Sequence, residues 1–423
     1  MSGKRIACIC NINHAQFILA RYLRDMGHVV TLFLMEEYPH FYPENDTYGP
    51  IEGIKVVELK WKHKELFKAS KSEIKAVLGG FDIYCGSEFA PAFLFKAGLP
   101  LHIFIPIGTD LIDYPFQKPK GLIPPTWAID EYQFHLYQKG GIRNAGAIFM
   151  NLNGDVNLEN AVKKIGFKGQ RFPVSLPYLY LPDYVSEKAV SMYETEISEL
   201  RKKYKLLLIS HGRCEFLDKD SVHYKGTEIM LEGVATYVQS GNTDVCLVMT
   251  QYGNDWKAAK DLAGKLGIAE HIHWLPQCGR KEIFPILKYF DAGFGTLSYP
   301  HWSYNVAMEL LAAGVPLIQK GPSDPSNSKI YPFMKGRNKI EVSEILDSLI
   351  HKESIRNINN SVLVDWFFTR QIEPALLGLK SCIEHIKTAT RTSHNLVKVQ
   401  WIYFRSFLYF LSKVKLSILK GKR

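Results

Sequence analysis

The sequence has no long apolar run of the length needed to span a bilayer. It has no Cys-x-x-Cys pair, so a zinc ribbon or a disulfide framework is not expected of its seven scattered cysteines. They read as small buried hydrophobes in a reducing compartment. It has no G-x-G-x-x-G turn, which disfavours a dinucleotide on its first strand. No repeat of 20–50 residues is visible. The N-terminal apolar stretch, Ile6 to Cys10, is five residues long and turns polar at Asn11. That is too short for the core of a signal peptide and suits a buried strand.

What the sequence does contain is an ordinary folded composition, 46% hydrophobic and 22% charged, over 423 residues. That length calls for two domains. The net charge of +10 would point to a polyanion if it were spread over the surface. It is not. Nine of the 52 basic residues lie after Glu384, where there is no acidic one, so residues 1–384 hold 43 basic against 42 acidic side chains. The body is almost neutral, which disfavours nucleic acid as a partner. The tail from Val397 mixes Trp401, Phe404, Phe407, Leu408, Phe410 and Leu411 with purely basic charge. This pattern suits an interfacial amphipathic helix on anionic lipid, through residues 395–423. A core helix or a protein-binding helix would share the apolar bulk.

Along the first half, apolar runs alternate with helical periodicity. Ile6–Cys10 is followed by Phe17, Ile18, Leu19, Tyr22, Leu23 and Met26 at helical spacing, then by the strand His28–Leu34. This is a βαβ unit of a parallel sheet. Further strands are expected at Phe81–Cys85, Leu101–Ile107 and Ala145–Met150. Each ends in small or polar residues, so the carboxyl edge of the sheet gathers Asn13, His14, Glu88 and Asp110. Ligands of open parallel sheets sit at that edge. His14 and Asp110 are candidates for proton transfer, although each also suits a turn or helix cap.

The pattern restarts after Pro177–Pro182, with strands expected at Lys205–Ser210, Val245–Met249, His271–Leu275, Ala292–Ser298 and Val315–Ile318. Helices fill the gaps. His271 and His273 alternate along one strand, but no further ligands complete a metal set. The fold class is therefore α/β, with two Rossmann-like doubly wound domains. Residues 1–182 form the first and 183–364 the second. Residues 365–388 then cross back, and 389–423 form the basic tail.

The run Ser210–His–Gly–Arg213, then Lys225–Gly226, followed by Trp274–Leu275–Pro276, Tyr289–Phe290–Asp291–Ala292 and Ser298 to Pro316, resembles the retaining family 4 (group 1) glycosyltransferases. That resemblance covers most of residues 205–318. It implies a GT-B arrangement with two domains facing a cleft, the first binding acceptor and the second a nucleotide-sugar. It implies that Arg213, Lys225 and Gly226 hold the diphosphate, that Ser303, Tyr304 and Asn305 open a helix towards it, and that Glu309 accepts hydrogen bonds from the ribose. The chemistry agrees: a departing diphosphate gathers negative charge, which an arginine fork, a lysine and a helix N-terminus stabilise. Taken singly, Arg213 and Lys225 would also serve as surface ion pairs and Glu309 as a solvated helix charge.

The sequence departs from the family at His301, which stands where the first Glu of its E-x7-E segment belongs. His301 can still hydrogen-bond a sugar or phosphate. The expected function is transfer of a sugar from a nucleotide-sugar to a glycan or lipid-linked acceptor in cell-surface polysaccharide, lipopolysaccharide or glycolipid synthesis. The expected location is the cytoplasmic face of a membrane, and no tightly bound cofactor or metal is expected. Two alternatives stay open: an inverting enzyme of the same fold with His14 or Asp110 as base, and a non-catalytic relative that binds glycan or nucleotide.

Overall fold

The computed structural model describes residues 3–35, 41–62, 65–66, 68–117, 126–150, 156–177, 179–184, 188–221, 223–298, 304–321, 333–351, 360–386 and a few positions within 404–412. The chain divides into two compact units. One comprises Met1–Pro43, Ile51–Pro177 and Glu373–Arg423; the other comprises Glu44–Pro50 and Tyr178–Ile372.

The first unit is built on seven parallel strands: β1 (Arg5–Ile9), β2 (Val29–Leu34), β3 (Ile54–Glu58), β4 (Ile83–Gly86), β5 (Ile103–Phe104), β6 (Ala147–Phe149) and β7 (Gln170–Phe172). Their order is β3-β2-β1-β4-β5-β6-β7. Four of the five β1 residues are buried, as expected of a strand covered on both faces. Ile9 lies beside Phe33 on one side and Gly86 on the other, which fixes the register at the carboxyl edge. The helix Glu373–His385 returns to this unit and buries Ala375, Leu379, Cys382 and Ile383 with Ile6 and Cys8. All seven cysteines are free thiols, six of them buried.

The second unit repeats the plan with six parallel strands: β8 (Leu206–Ser210), β9 (Val245–Thr250), β10 (Ile272–Leu275), β11 (Ala292–Phe294), β12 (Leu317–Gln319) and β13 (Phe333–Lys335). Their order is β10-β9-β8-β11-β12-β13. Both sheets reverse direction beside their first strand, between β1 and β4 and between β8 and β11. Such switch points open a crevice beyond the strands' carboxyl ends. The α/β fold of two doubly wound sheets read from the sequence is therefore the observed one.

Several boundaries differ from expectation. The strand expected over Leu101–Ile107 is confined to Ile103–Phe104. Pro100 and Pro106 flank it, and proline has no N–H for the ladder. The helix between β10 and β11 runs Arg280–Ile286 and tightens to a 3₁₀ turn at Leu287–Tyr289, just after Pro285. The first division falls at Pro177 rather than residue 182, and the return to the first unit at Glu373 rather than 365. The segment Glu44–Pro50 belongs with the second unit, which the sequence did not announce. Among the described residues no helix is long and apolar enough to cross a membrane. The amphipathic tail falls almost wholly outside the described residues; Phe404, Phe407, Leu408 and Leu411 are described and all four are exposed.

Candidate functional site

In the second unit, the loop leaving β8 carries His211, Gly212 and Arg213 past the first turn of the helix Tyr304–Ala312. A Cβ added to Gly212 would sit 3.5 Å from the Val306 side chain, so the two elements lie in van der Waals contact. The second loop, at Lys225–Gly226, is pinned from two directions. The Lys225 N–H donates to the Glu215 carbonyl at 2.7 Å, and the Lys225 carbonyl accepts from the Leu297 N–H at 3.0 Å. The Ser298 hydroxyl adds a bond to the Tyr224 carbonyl at 2.6 Å. Gly226 has φ +73°, and a Cβ there would come within 3.1 Å of the Leu297 carbonyl carbon and the Ser298 nitrogen. Only glycine fits, which accounts for the Lys-Gly pair in physical terms.

Arg213 and Lys225 are half-buried neighbours. Burial and the nearby Arg213 guanidinium both push the Lys225 ammonium below its usual range. Among the described residues neither side chain is in an ion pair or hydrogen bond. His223, which the sequence reading passed over, is close enough to feel both charges and is likewise held low, first by burial and then by Arg213. The Glu215 carboxylate is near enough to offset only part of this, and the remaining repulsion between the cations is free energy that a bound anion would recover.

Glu309 is not the solvated helix charge it resembled in isolation. It is 6% exposed. Its Oε1 accepts from Arg280 Nε at 2.7 Å and its Oε2 pairs with His211 Nε2 at 2.8 Å. Arg280 Nη1 in turn donates to Asp46 Oδ1 at 3.1 Å, and the Tyr184 hydroxyl donates to the same oxygen at 2.6 Å. Burial pulls Glu309 up, but Arg280 and His211 outweigh it and hold its carboxyl below the usual range. Burial likewise opposes the charge on Arg280, and Asp46 and Glu309 more than restore it. The result is a buried chain of alternating groups, Asp46–Arg280–Glu309–His211, wholly within the second unit. Sequence reasoning found Glu309 alone. Asp46 and Arg280 are 234 positions apart, and no local pattern joins them.

Of the other expected donor residues, Asn305 lies half-buried in the first turn of its helix, and Tyr304 is that helix's first residue. His301 and Ser303 lie outside the described residues. His271 and His273 part company: His271 Nδ1 meets the Val245 carbonyl at 3.0 Å, and His273 Nε2 lies 2.9 Å from Glu196.

In the first unit, Asp110 lies just after β5. It is fully buried, and its two oxygens accept from the backbone N–H groups of Ile107, Gly108 and Glu88, each at 3.0 Å. Burial raises its carboxyl to about 7 despite those bonds. Its oxygens tie the loops after β4 and β5 together, while a value near 7 is one that suits a general base. His14 is 6% exposed and lies edge-on to Phe41, with ring centroids 6.0 Å apart. Cys10, Asn13, His14 and Glu88 all adopt left-handed φ values of 49–68°. Four such non-glycine residues in the loops after β1 and β4 place stored backbone strain at the switch point of the first sheet, where function often puts it.

No protein-family model matches the sequence, and no curated protein matches it. Solved structures do match the fold. The chain is similar to Alr3699/HepE of Anabaena, solved in complex with UDP and glucose, at a TM-score of 0.60 and 12% identity, over 90% of this chain and 100% of that one. It is similar to a UDP-forming α,α-trehalose-phosphate synthase of Burkholderia xenovorans at a TM-score of 0.61 and 10% identity, over 92% and 100%. It is also similar to the lipopolysaccharide outer core galactosyltransferase WaaB, at 0.51 and 12%, over 90% and 99%. At these identities the likeness is one of fold.

Proposed function

We propose that this chain is a glycosyltransferase whose second unit holds a nucleotide-sugar by its diphosphate. The observation that carries the reading is the pair Arg213 and Lys225: two adjacent cations at the carboxyl end of β8, in no ion pair among the described residues. The shared fold supports it, since structures of that fold hold UDP and glucose or make sugar–sugar and sugar–phosphate products.

In this reading the anomeric carbon–oxygen bond breaks and the diphosphate leaves with the bonding electrons. Arg213 offers a planar fork of donors to that charge and Lys225 a point charge. The N-terminus of the helix beginning at Tyr304 adds oriented N–H groups. The first unit supplies the acceptor side, where strained backbone gathers around His14 and Glu88. A retaining course is favoured over an inverting one, because the inverting course needs a base and Asp110 is spent on backbone N–H groups, leaving His14. The tail, basic and with four exposed apolar side chains, fits a glycan or lipid-linked acceptor at an anionic membrane surface.

The test is a thermal-shift panel of nucleotide-sugars on wild type and Arg213→Ala. Stabilisation by one member, abolished in Arg213→Ala, is expected. Stabilisation that survives Arg213→Ala, or none with any member, sinks the proposal. Turnover of that donor, lost in Lys225→Ala, separates an enzyme from a binding protein.

A further inference from the structure

The buried chain ends on a nitrogen for which the described residues offer no hydrogen-bond partner. His211 is 9% exposed as a residue and its side chain 5%. Its Nε2 is taken by Glu309, and its Nδ1 is buried with no hydrogen-bond partner among the described residues. Buried polar atoms are nearly always satisfied, so an orphan two residues from the candidate phosphate-binding Arg213 calls for a partner from outside the protein.

The tautomer follows from the partners. Glu309 accepts from Arg280 through Oε1 and lies between two donors. An ionised carboxylate can only accept, so the proton of the shared bond sits on His211 Nε2. A neutral ring with Nε2–H presents a lone pair at Nδ1. In that neutral form the nitrogen accepts from a hydroxyl or N–H donor. His211 stands two residues before Arg213 and immediately before Gly212, whose backbone meets the helix opening at Tyr304. A ligand whose diphosphate is on Arg213 and Lys225 would bring sugar hydroxyls next to the same loop.

We propose that His211 is a ligand-contacting residue of the donor site, its Nδ1 accepting a hydrogen bond from a sugar hydroxyl of the nucleotide-sugar. Asp46, Arg280 and Glu309 are positioning residues that fix its tautomer and ring orientation. The hydroxyl belongs either to the ribose or to the transferred sugar. The inference rests on the donor-site reading above, and it moves recognition of a hydroxyl from Glu309 itself to the imidazole that Glu309 holds.

The test uses full-length protein, UDP-glucose and UDP, with affinities from calorimetry. In His211→Gln the amide nitrogen stands near the place of Nε2, so the contact with Glu309 persists and the acceptor is lost. In His211→Asn the amide oxygen stands near the place of Nδ1, so the acceptor persists and the Glu309 contact is lost. His211→Gln should weaken UDP-glucose about tenfold, the share of one hydrogen bond, and His211→Asn should weaken it less. A structural role would reverse that order. If UDP weakens equally in His211→Gln, the hydroxyl is the ribose's; if UDP is unchanged, it is the transferred sugar's.

Binding by His211→Gln equal to wild type, or an Asn variant weaker than the Gln variant, overturns the inference while Arg213→Ala still tests the donor site separately. Wild-type protein that binds neither ligand nor any other nucleotide-sugar overturns both. One arm needs no variant. In ¹⁵N spectra of histidine-labelled wild type, the unprotonated Nδ1 of one Nε2–H ring should shift on adding ligand, and no such shift overturns the inference even if the variants do not fold.

Discussion

Glu309 carries two donors on one carboxylate, and Arg280 carries two carboxylates on one guanidinium. Side-chain exposure is 6% for Arg280 and zero for Asp46, so water cannot replace a missing partner. Breaking such a buried pair by deleting one member typically costs about 3–5 kcal/mol, because it leaves the other charge uncompensated. Asp46→Ala should therefore lower stability by about that amount in urea denaturation. Arg280→Met together with Asp46→Ala should cost less than the sum of the two single changes. Additive losses would show that the pair is not coupled.

Asp110 sets a second test at the same scale. Its folded value is about 7 against an ordinary 3.8, with burial as the cause. Between those values the native state keeps a proton that the unfolded chain has released. Its contribution to stability is thus fully present below about pH 4 and is lost as pH rises to about 7. Asp110→Asn should remove this share of the slope when urea midpoints are compared from pH 4 to pH 8. It should also cost about 1–3 kcal/mol, since its amide would turn an N–H towards a backbone donor. Parallel pH profiles for the two proteins would refute the assignment.

Two short elements organise the second unit's site. The turn at Lys225–Gly226 is locked between β11's exit loop and the helix Thr227–Gln239. Gly226→Ala would force a left-handed alanine against the Leu297 backbone. The expected cost is about 1–2 kcal/mol, with weaker nucleotide-sugar binding read by the same thermal shift. Unchanged binding would mean that the turn does not position Lys225 for the ligand. The other element is Glu44–Pro50, which leaves the first half of the chain and docks on the second unit. There the Tyr48 hydroxyl donates to the Lys281 carbonyl at 2.7 Å, and Asp46 meets Arg280 and Tyr184. Nothing in its composition marks it as different from any polar loop after a strand.

At the scale of the whole molecule, the net positive charge is concentrated at one end of the chain. The body is close to neutral and the last 39 residues hold nine basic side chains and no acidic one. Phe404, Phe407, Leu408 and Leu411 are 44–57% exposed. Wild-type protein should cosediment with anionic vesicles at low salt and less so at 0.5 M, while Phe404→Ser/Phe407→Ser should bind weakly and keep its melting temperature. Equal sedimentation of both proteins would remove the tail from the membrane reading.

The sequence by itself determined the two parallel sheets, because buried strands and amphipathic helices write their periods locally, within ten or so residues. It also marked Arg213, Lys225 and Glu309, through the resemblance of their ordered motifs to a known family and not through any local pattern of their own. Only the tertiary structure decided what those residues meet. It turned Asp110 inward onto backbone N–H groups, joined Asp46 to Arg280 across 234 positions, and buried His211 Nδ1 without a hydrogen-bond partner among the described residues. Pairings of this kind depend on which loops reach one sheet edge together. A charge buried there must find its partner in space, and distance along the chain says nothing of where that partner lies.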